Sequence, residues 1–192
     1  MSDSTTTVEE LFKHVLNELK RGHRPRLKLT KDQMTAYTNL WQSLDDQLSV
    51  DNNEQSYKEK LTPLLGILDH AINSSDDLAS LFISSLKRIK DPELLVYLLS
   101  GTLKHAIEEK QKRGDRADQQ TLSALETTLN HSSPEVLEWS LRCIEQLGSQ
   151  SLYFKKNIMA RKPSFLKQFN KHNKAARQII EFLERRWMPG QP

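Results

Sequence analysis

The sequence predicts an all-α protein, and three observations carry that prediction. Apolar residues recur every third or fourth position in segment after segment, the spacing that winds them onto one stripe of a helix. Residues that start and stop helices punctuate those segments. The only period-two alternation is Arg26-Leu27-Lys28-Leu29, too short and too charged to found a sheet.

The elements follow in order. Val8, Leu11, Phe12, Val15, Leu16 and Leu19 make the first stripe, opened by Thr7 with Glu10 at the capping-box spacing. Next comes the basic run from Lys20 to Lys31, whose Gly22 and Pro25 mark it as a connection. Met34, Tyr37, Trp41, Leu44 and Leu48 form the second stripe, stopped by Asp51-Asn52-Asn53. Leu61, Leu64, Leu65, Leu68 and Ile72 form the third. Within it Pro63 requires either a helix start capped by Thr62 or a kink, because proline lacks a backbone donor. Ser75 and Asp76 offer caps for a fourth helix carrying Leu78, Leu81, Phe82, Leu86 and Ile89.

Asp91-Pro92 starts a fifth helix that runs to Gly114. It is apolar nearly all round from Leu94 to Leu99, which makes it the predicted centre of the core, and Lys110, Lys112 and Arg113 suit its negative end. Asp115 opens a sixth through Leu122, Leu125 and Leu129. Ser133-Pro134 opens a seventh with Val136, Leu137, Leu141, Ile144 and Leu147, ended by Gly148. A shorter helix around Leu152, Tyr153, Ile158 and Met159 follows. After a break at Arg161-Lys162-Pro163, a last helical region extends from Phe165 to Trp187, with Asn170 and Asn173 as residues able to divide it. Eight or nine helices result.

With 192 residues, 36% hydrophobic and 28% charged, the chain is expected to form one all-helical domain, 1–192, around a core of its own. Its parts are N-terminal helices at 7–74, two helix pairs at 75–148 and basic helices at 149–188. One cysteine excludes a disulfide framework and a multi-cysteine zinc site. No apolar run approaches the roughly 18 residues of a membrane helix, so no membrane partner is expected. The first twenty residues lack the apolar core of a signal peptide, which gives a cytoplasmic location as the expectation.

One internal repeat stands out. Asp91-Pro92-Glu93-Leu94-Leu95-Val96-Tyr97 aligns with Ser133-Pro134-Glu135-Val136-Leu137-Glu138-Trp139 at an offset of 42 residues. Both copies place a capping side chain, then Pro and Glu, then apolar residues, with an aromatic ring at the same position. Each follows another amphipathic helix. The pattern resembles HEAT and armadillo repeats over about residues 75–148. That resemblance implies antiparallel helix pairs stacked as a right-handed superhelix, with the flanking helices as its caps. An irregular multi-helix bundle is the alternative.

Chemistry-bearing patterns point away from catalysis. No two of the six histidines stand at the i, i+4 spacing of a metal-binding helix face, and the six glycines stand singly, so no phosphate-cradling loop can be written. His105 with Glu108 and Glu109 comes nearest to a ligand set, and reads as a solvated helix face. Cys143 shares a face with Val136 and Leu147 and reads as a small core hydrophobe. Neither a cofactor nor a metal is expected.

Charge gives the one functional signal. Residues 151–192 hold ten Lys and Arg against two Asp and Glu, whereas residues 1–150 hold eighteen against twenty-three. Lys155, Lys156, Arg161, Lys162, Lys167, Lys171, Lys174 and Arg177 are the candidate binding residues. Aromatic residues lie among them, but helical winding of 171–187 puts Phe182 and Trp187 on the apolar arc, so the aromatics are expected to be mostly core. Glu181, four residues from both Arg177 and Arg185, is expected to neutralise part of the polar arc. The expected function is a non-catalytic scaffold or adaptor for a partner with an acidic protein surface. The first alternative is nucleic-acid binding through the basic third, similar in architecture to the DNA-alkylation-repeat proteins; the second is an enzyme with a pocket between helices.

Overall fold

A computed structural model describes residues 7–164 and 169–188. The described residues are helical and contain no sheet; the sole extended pairing is one parallel bridge between Leu27 and Ala71. The chain divides into two compact units, 1–78 and 79–192, the division falling inside the helix Asp76–Arg88.

The first unit is built on α1 (Val8–Lys20), α2 (Lys31–Asp51) and α3 (Glu54–His70), with α1 and α2 both packed against α3. Thr7 and Glu10 form the expected capping box, and Thr30 with Gln33 forms a second one. Asn52, in the left-handed conformation at φ 50°, ends α2. The third helix begins well before Thr62: Asn53 accepts the Ser56 N–H at 3.0 Å, and Pro63 lies inside the helix. The Thr62 hydroxyl donates to the Lys58 carbonyl instead of capping. The core holds Trp41 from α2 with Leu61, Leu64, Leu65, Ile67 and Leu68 from α3. Gly66 is needed there, because a Cβ at that position would stand 2.5 Å from the Phe12 ring.

The basic connection is tied to the end of α3. Leu27 donates its N–H to the His70 carbonyl at 2.9 Å and accepts the Ile72 N–H at 2.8 Å. The Asn73 side chain then pairs with both backbone groups of Leu29, at 3.1 and 3.0 Å. The short alternation seen in the sequence is thus one extended segment laid against a helix end.

Helix α4 (Asp76–Arg88), which spans the division, is capped by the Ser75 hydroxyl, which accepts the Leu78 N–H at 3.2 Å. In the second unit, Asp91 caps α5 (Pro92–Gly101), one carboxylate oxygen accepting from both Glu93 and Leu94. The predicted fifth helix is one continuous helical run, but Thr102–Glu108 within it is π-helical before α6 (Glu109–Lys112) resumes. His105 in this π segment is buried and stacked on Phe82, with ring centroids 5.5 Å apart and planes 7° apart, so it is not the solvated residue expected. The helix closes in a Schellman motif: Gly114, at φ +78°, donates to the Gln111 carbonyl and Asp115 to the Lys110 carbonyl. Asp115 therefore ends one helix, and Asp118, not Asp115, caps α7 (Gln119–Leu129).

The centre of this unit is α8 (Pro134–Gln146), not the fifth helix. Against it pack α5, α7, the π segment, the 3₁₀ segment Gly148–Phe154 and α10 (Lys171–Arg186), the last of which is preceded by the short α9 (Lys155–Ala160). Val136, Leu141, Cys143 and Ile144 are fully buried. The Cys143 Sγ lies 3.3 Å from the Leu99 carbonyl, to which it donates, and burial pushes its thiol well above the usual range, as expected of a packing cysteine.

Two predictions arise from these caps. Asp91→Ala should cost about 1 kcal/mol in urea unfolding, since two N–H groups lose their acceptor. Ser133→Ala should change little, because the Ser133 side chain makes no capping bond. The second concerns acid. Burial raises the Asp118 carboxyl, but hydrogen bonds from Lys110 and from the Thr121 amide and hydroxyl outweigh it and hold it at about 2. A carboxyl depressed in the folded state adds stability above its unfolded value of 3.8 and loses it as pH falls toward 2. Asp118→Asn should therefore lower stability near neutral pH and make its decline between those limits shallower, measured by thermal melts across the acid range.

Candidate functional site

The candidate binding residues divide into two groups. Lys156, Lys171 and Lys174 are exposed and have no ion-pair partner among the described residues. Lys155 is exposed as well, its ammonium 6.0 Å from the centroid of the Trp187 ring. The other described members carry structural bonds. Lys162 pairs with Glu184 at 2.6 Å, and Arg161 donates to the His131 carbonyl. Arg177 pairs with Glu181 at 2.8 Å, the neutralisation expected from their spacing, and also reaches the Pro163 carbonyl. Lys167 and Phe165 lie outside the described residues.

Arg161 and Lys162 of the second group line a cleft of about 500 Å³ between the start of α8, the end of α9 and the first turn of α10. Pro134, Leu137 and Pro163 give it an apolar lining, and Arg161, Lys162 and Asn173 a polar one. No carboxylate is among its described lining residues. Ala160 also lines it, and Lys156 stands one turn before Ala160 on the same face of α9. A guanidinium offers five donors and an ammonium three, so Arg161 and Lys162 retain donors beyond those used in their structural bonds.

No family model, curated protein or solved structure matches the chain.

The aromatics depart from expectation. Tyr153 is 53% exposed and Phe169 98% exposed. The cause at Tyr153 is local: Gly148–Phe154 is a 3₁₀ helix, three residues per turn, so the 3.6-residue stripe does not apply and Phe154 turns inward in its place. Phe182 is also partly exposed, lying under the Arg186 guanidinium at 5.0 Å.

Helix α10 is tied to α8 by a polar cluster centred on the buried Glu138. Glu138, 7% exposed, accepts from Arg142 at 2.6 Å on one oxygen and is bonded to His172 Nδ1 at 2.7 Å through the other. His172 Nε2 lies 3.8 Å from Glu135. This contact was beyond local spacing, since 34 residues separate its partners. Among the described residues no group of three or more His, Cys, Asp or Glu is arranged to hold a metal, and no helix is long and apolar enough to cross a membrane.

Proposed function

We propose that the chain is a cytoplasmic, non-catalytic helical-repeat adaptor that docks an acidic protein surface on its basic C-terminal face. The observation that carries this reading is the set of exposed, uncompensated lysines on the two helices that flank a basic cleft: Lys156 on α9, whose Ala160 lines it, and Lys171 and Lys174 in the first turn of α10, whose Asn173 lines it, while the described lining holds two cations and no carboxylate. Like-signed groups so placed attract anionic partners and steer their approach.

The repeat reading draws support from the packing of α5 on α8, the two helices that begin with the matched Pro-Glu turns, and of α7 on α8. His131 joins the two turns: its Nε2 lies 3.2 Å from the Lys90 carbonyl, and its Nδ1 accepts the Ser133 N–H. In a repeat stack each unit contacts its neighbour and buries a face it cannot bury alone, and these contacts between the matched turns are of that neighbour-to-neighbour kind. The non-catalytic reading draws support from the employment of the reactive side chains: Cys143 is buried, His105 stacked and His172 held by Glu138.

Nucleic-acid binding is the second reading, favoured by the exposure of Tyr153 and Phe169 among the cations, since aromatic faces stack on bases. Titrating the full chain with fluorescent polyglutamate and with oligothymidylate over a salt series separates the two. Tighter polyglutamate binding supports the adaptor, whereas tighter oligothymidylate binding supports the second reading.

A further inference from the structure

The basic connection of the first unit offers a surface that the C-terminal face does not explain. From Arg24 to Leu29 the chain is extended and its residues alternate: Leu27 is half-buried and Leu29 buried, while Arg24, Arg26 and Lys28 are exposed. Leu27 and Leu29 direct both of their backbone groups toward the end of α3, where His70, Ile72 and Asn73 satisfy them. In an extended chain the N–H and C=O groups of alternate residues point to opposite edges. Those of Arg26 and Lys28 therefore face away from α3, and they have no hydrogen-bond partner among the described residues. Neither the Arg26 nor the Lys28 side chain has an ion-pair partner there.

We infer that this edge is a docking site for an extended acidic segment of a partner protein, added as a strand beside Arg26–Lys28. An open edge supplies main-chain hydrogen bonds to an incoming strand. Alternate residues of a strand repeat at about 6.6 Å on one face. Arg24, Arg26 and Lys28 thus present cations at the interval at which a strand with Asp or Glu at every second position presents carboxylates. The bonds to α3 hold this edge open in advance, which lowers the ordering cost of binding.

The test uses two labelled heptapeptides of equal composition and charge, one alternating Glu with Val and the other with its Glu residues in one block, titrated against the full chain by fluorescence anisotropy. The alternating peptide should bind about tenfold tighter, the ratio of about 1.4 kcal/mol. Arg26→Glu with Lys28→Glu should abolish that preference with an unchanged circular dichroism spectrum, and N-methylation of alternate peptide amides should abolish it with the charges intact. The Lys156, Lys171 and Lys174 charge-reversal variant should keep it, so failure of the C-terminal face and failure of this edge are distinguishable. Equal binding of the two peptides, or tighter binding of an oligothymidylate of equal charge to this segment, would overturn the inference. Absence of peptide binding would also overturn it, and would leave the cations as guards against unwanted strand pairing.

Discussion

Gly101→Val is expected to destabilise the second unit by about 3 kcal/mol or more, the upper range of core overpacking. A Cβ built on Gly101 stands 2.1, 2.3 and 2.6 Å from three carbons of the Phe82 ring. The ring is fully buried, and His105 is already stacked on it, so little room remains for it to move. Gly101→Ala meets the same ring but gains about 1 kcal/mol of helix propensity, which leaves a smaller net loss of about 1–2 kcal/mol. Trimming the ring should relieve the clash: in Phe82→Leu, Gly101→Ala should cost less than in the parent, or nothing. Urea unfolding of the four proteins measures that coupling directly. A Gly101→Val protein as stable as the parent would mean that Phe82 does not pack on this backbone.

The contrast between Gly101 and the caps shows what the sequence could reveal. Thr7 with Glu10, Ser75 and Asp91 act at their own helix ends, through bonds spanning two or three residues, so local spacing announces them. Spacing alone points to Asp115 and not to Asp118, because the Schellman closure at Gly114, which carries the chain one turn further before α7 begins, is not visible in it. The π segment was illegible for a different reason. Phe82, a ring from another helix, is seated against Gly101 just before the segment and stacked on His105 within it, neighbours that local spacing does not reveal. The candidate site divides in the same way. Arg177 with Glu181 is an i, i+4 pair and was readable, whereas Lys162 with Glu184 and Arg161 with the His131 carbonyl span 22 and 30 residues. Which lysines remain uncompensated was therefore decided by the fold. The exposure of Tyr153 was hidden because a 3₁₀ turn and an α turn distribute the same apolar residues onto different faces.

Replacing Lys156, Lys171 and Lys174 together with Glu should separate stability from binding. All three side chains are exposed, and exposed substitutions usually change stability by within about 0.5 kcal/mol each. Two of them lie in the first turn of α10, which contains no acidic residue. Glu there complements the positive end of the helix dipole, so the melting temperature should hold or rise slightly. Binding should move the other way. Three attractions become repulsions, and affinity for an anionic protein surface should fall about a hundredfold at low salt, with a flatter dependence on ionic strength.

Isothermal titration of polyglutamate into the parent and into this triple variant, each carrying Arg26→Glu and Lys28→Glu so that the edge of the first unit is silent, at low and at physiological salt, tests the docking face most directly. The basic face predicts binding to the parent that weakens with salt, and its loss in a variant that melts no earlier. Equal affinity of the two proteins, with their melting temperatures unchanged, would contradict it.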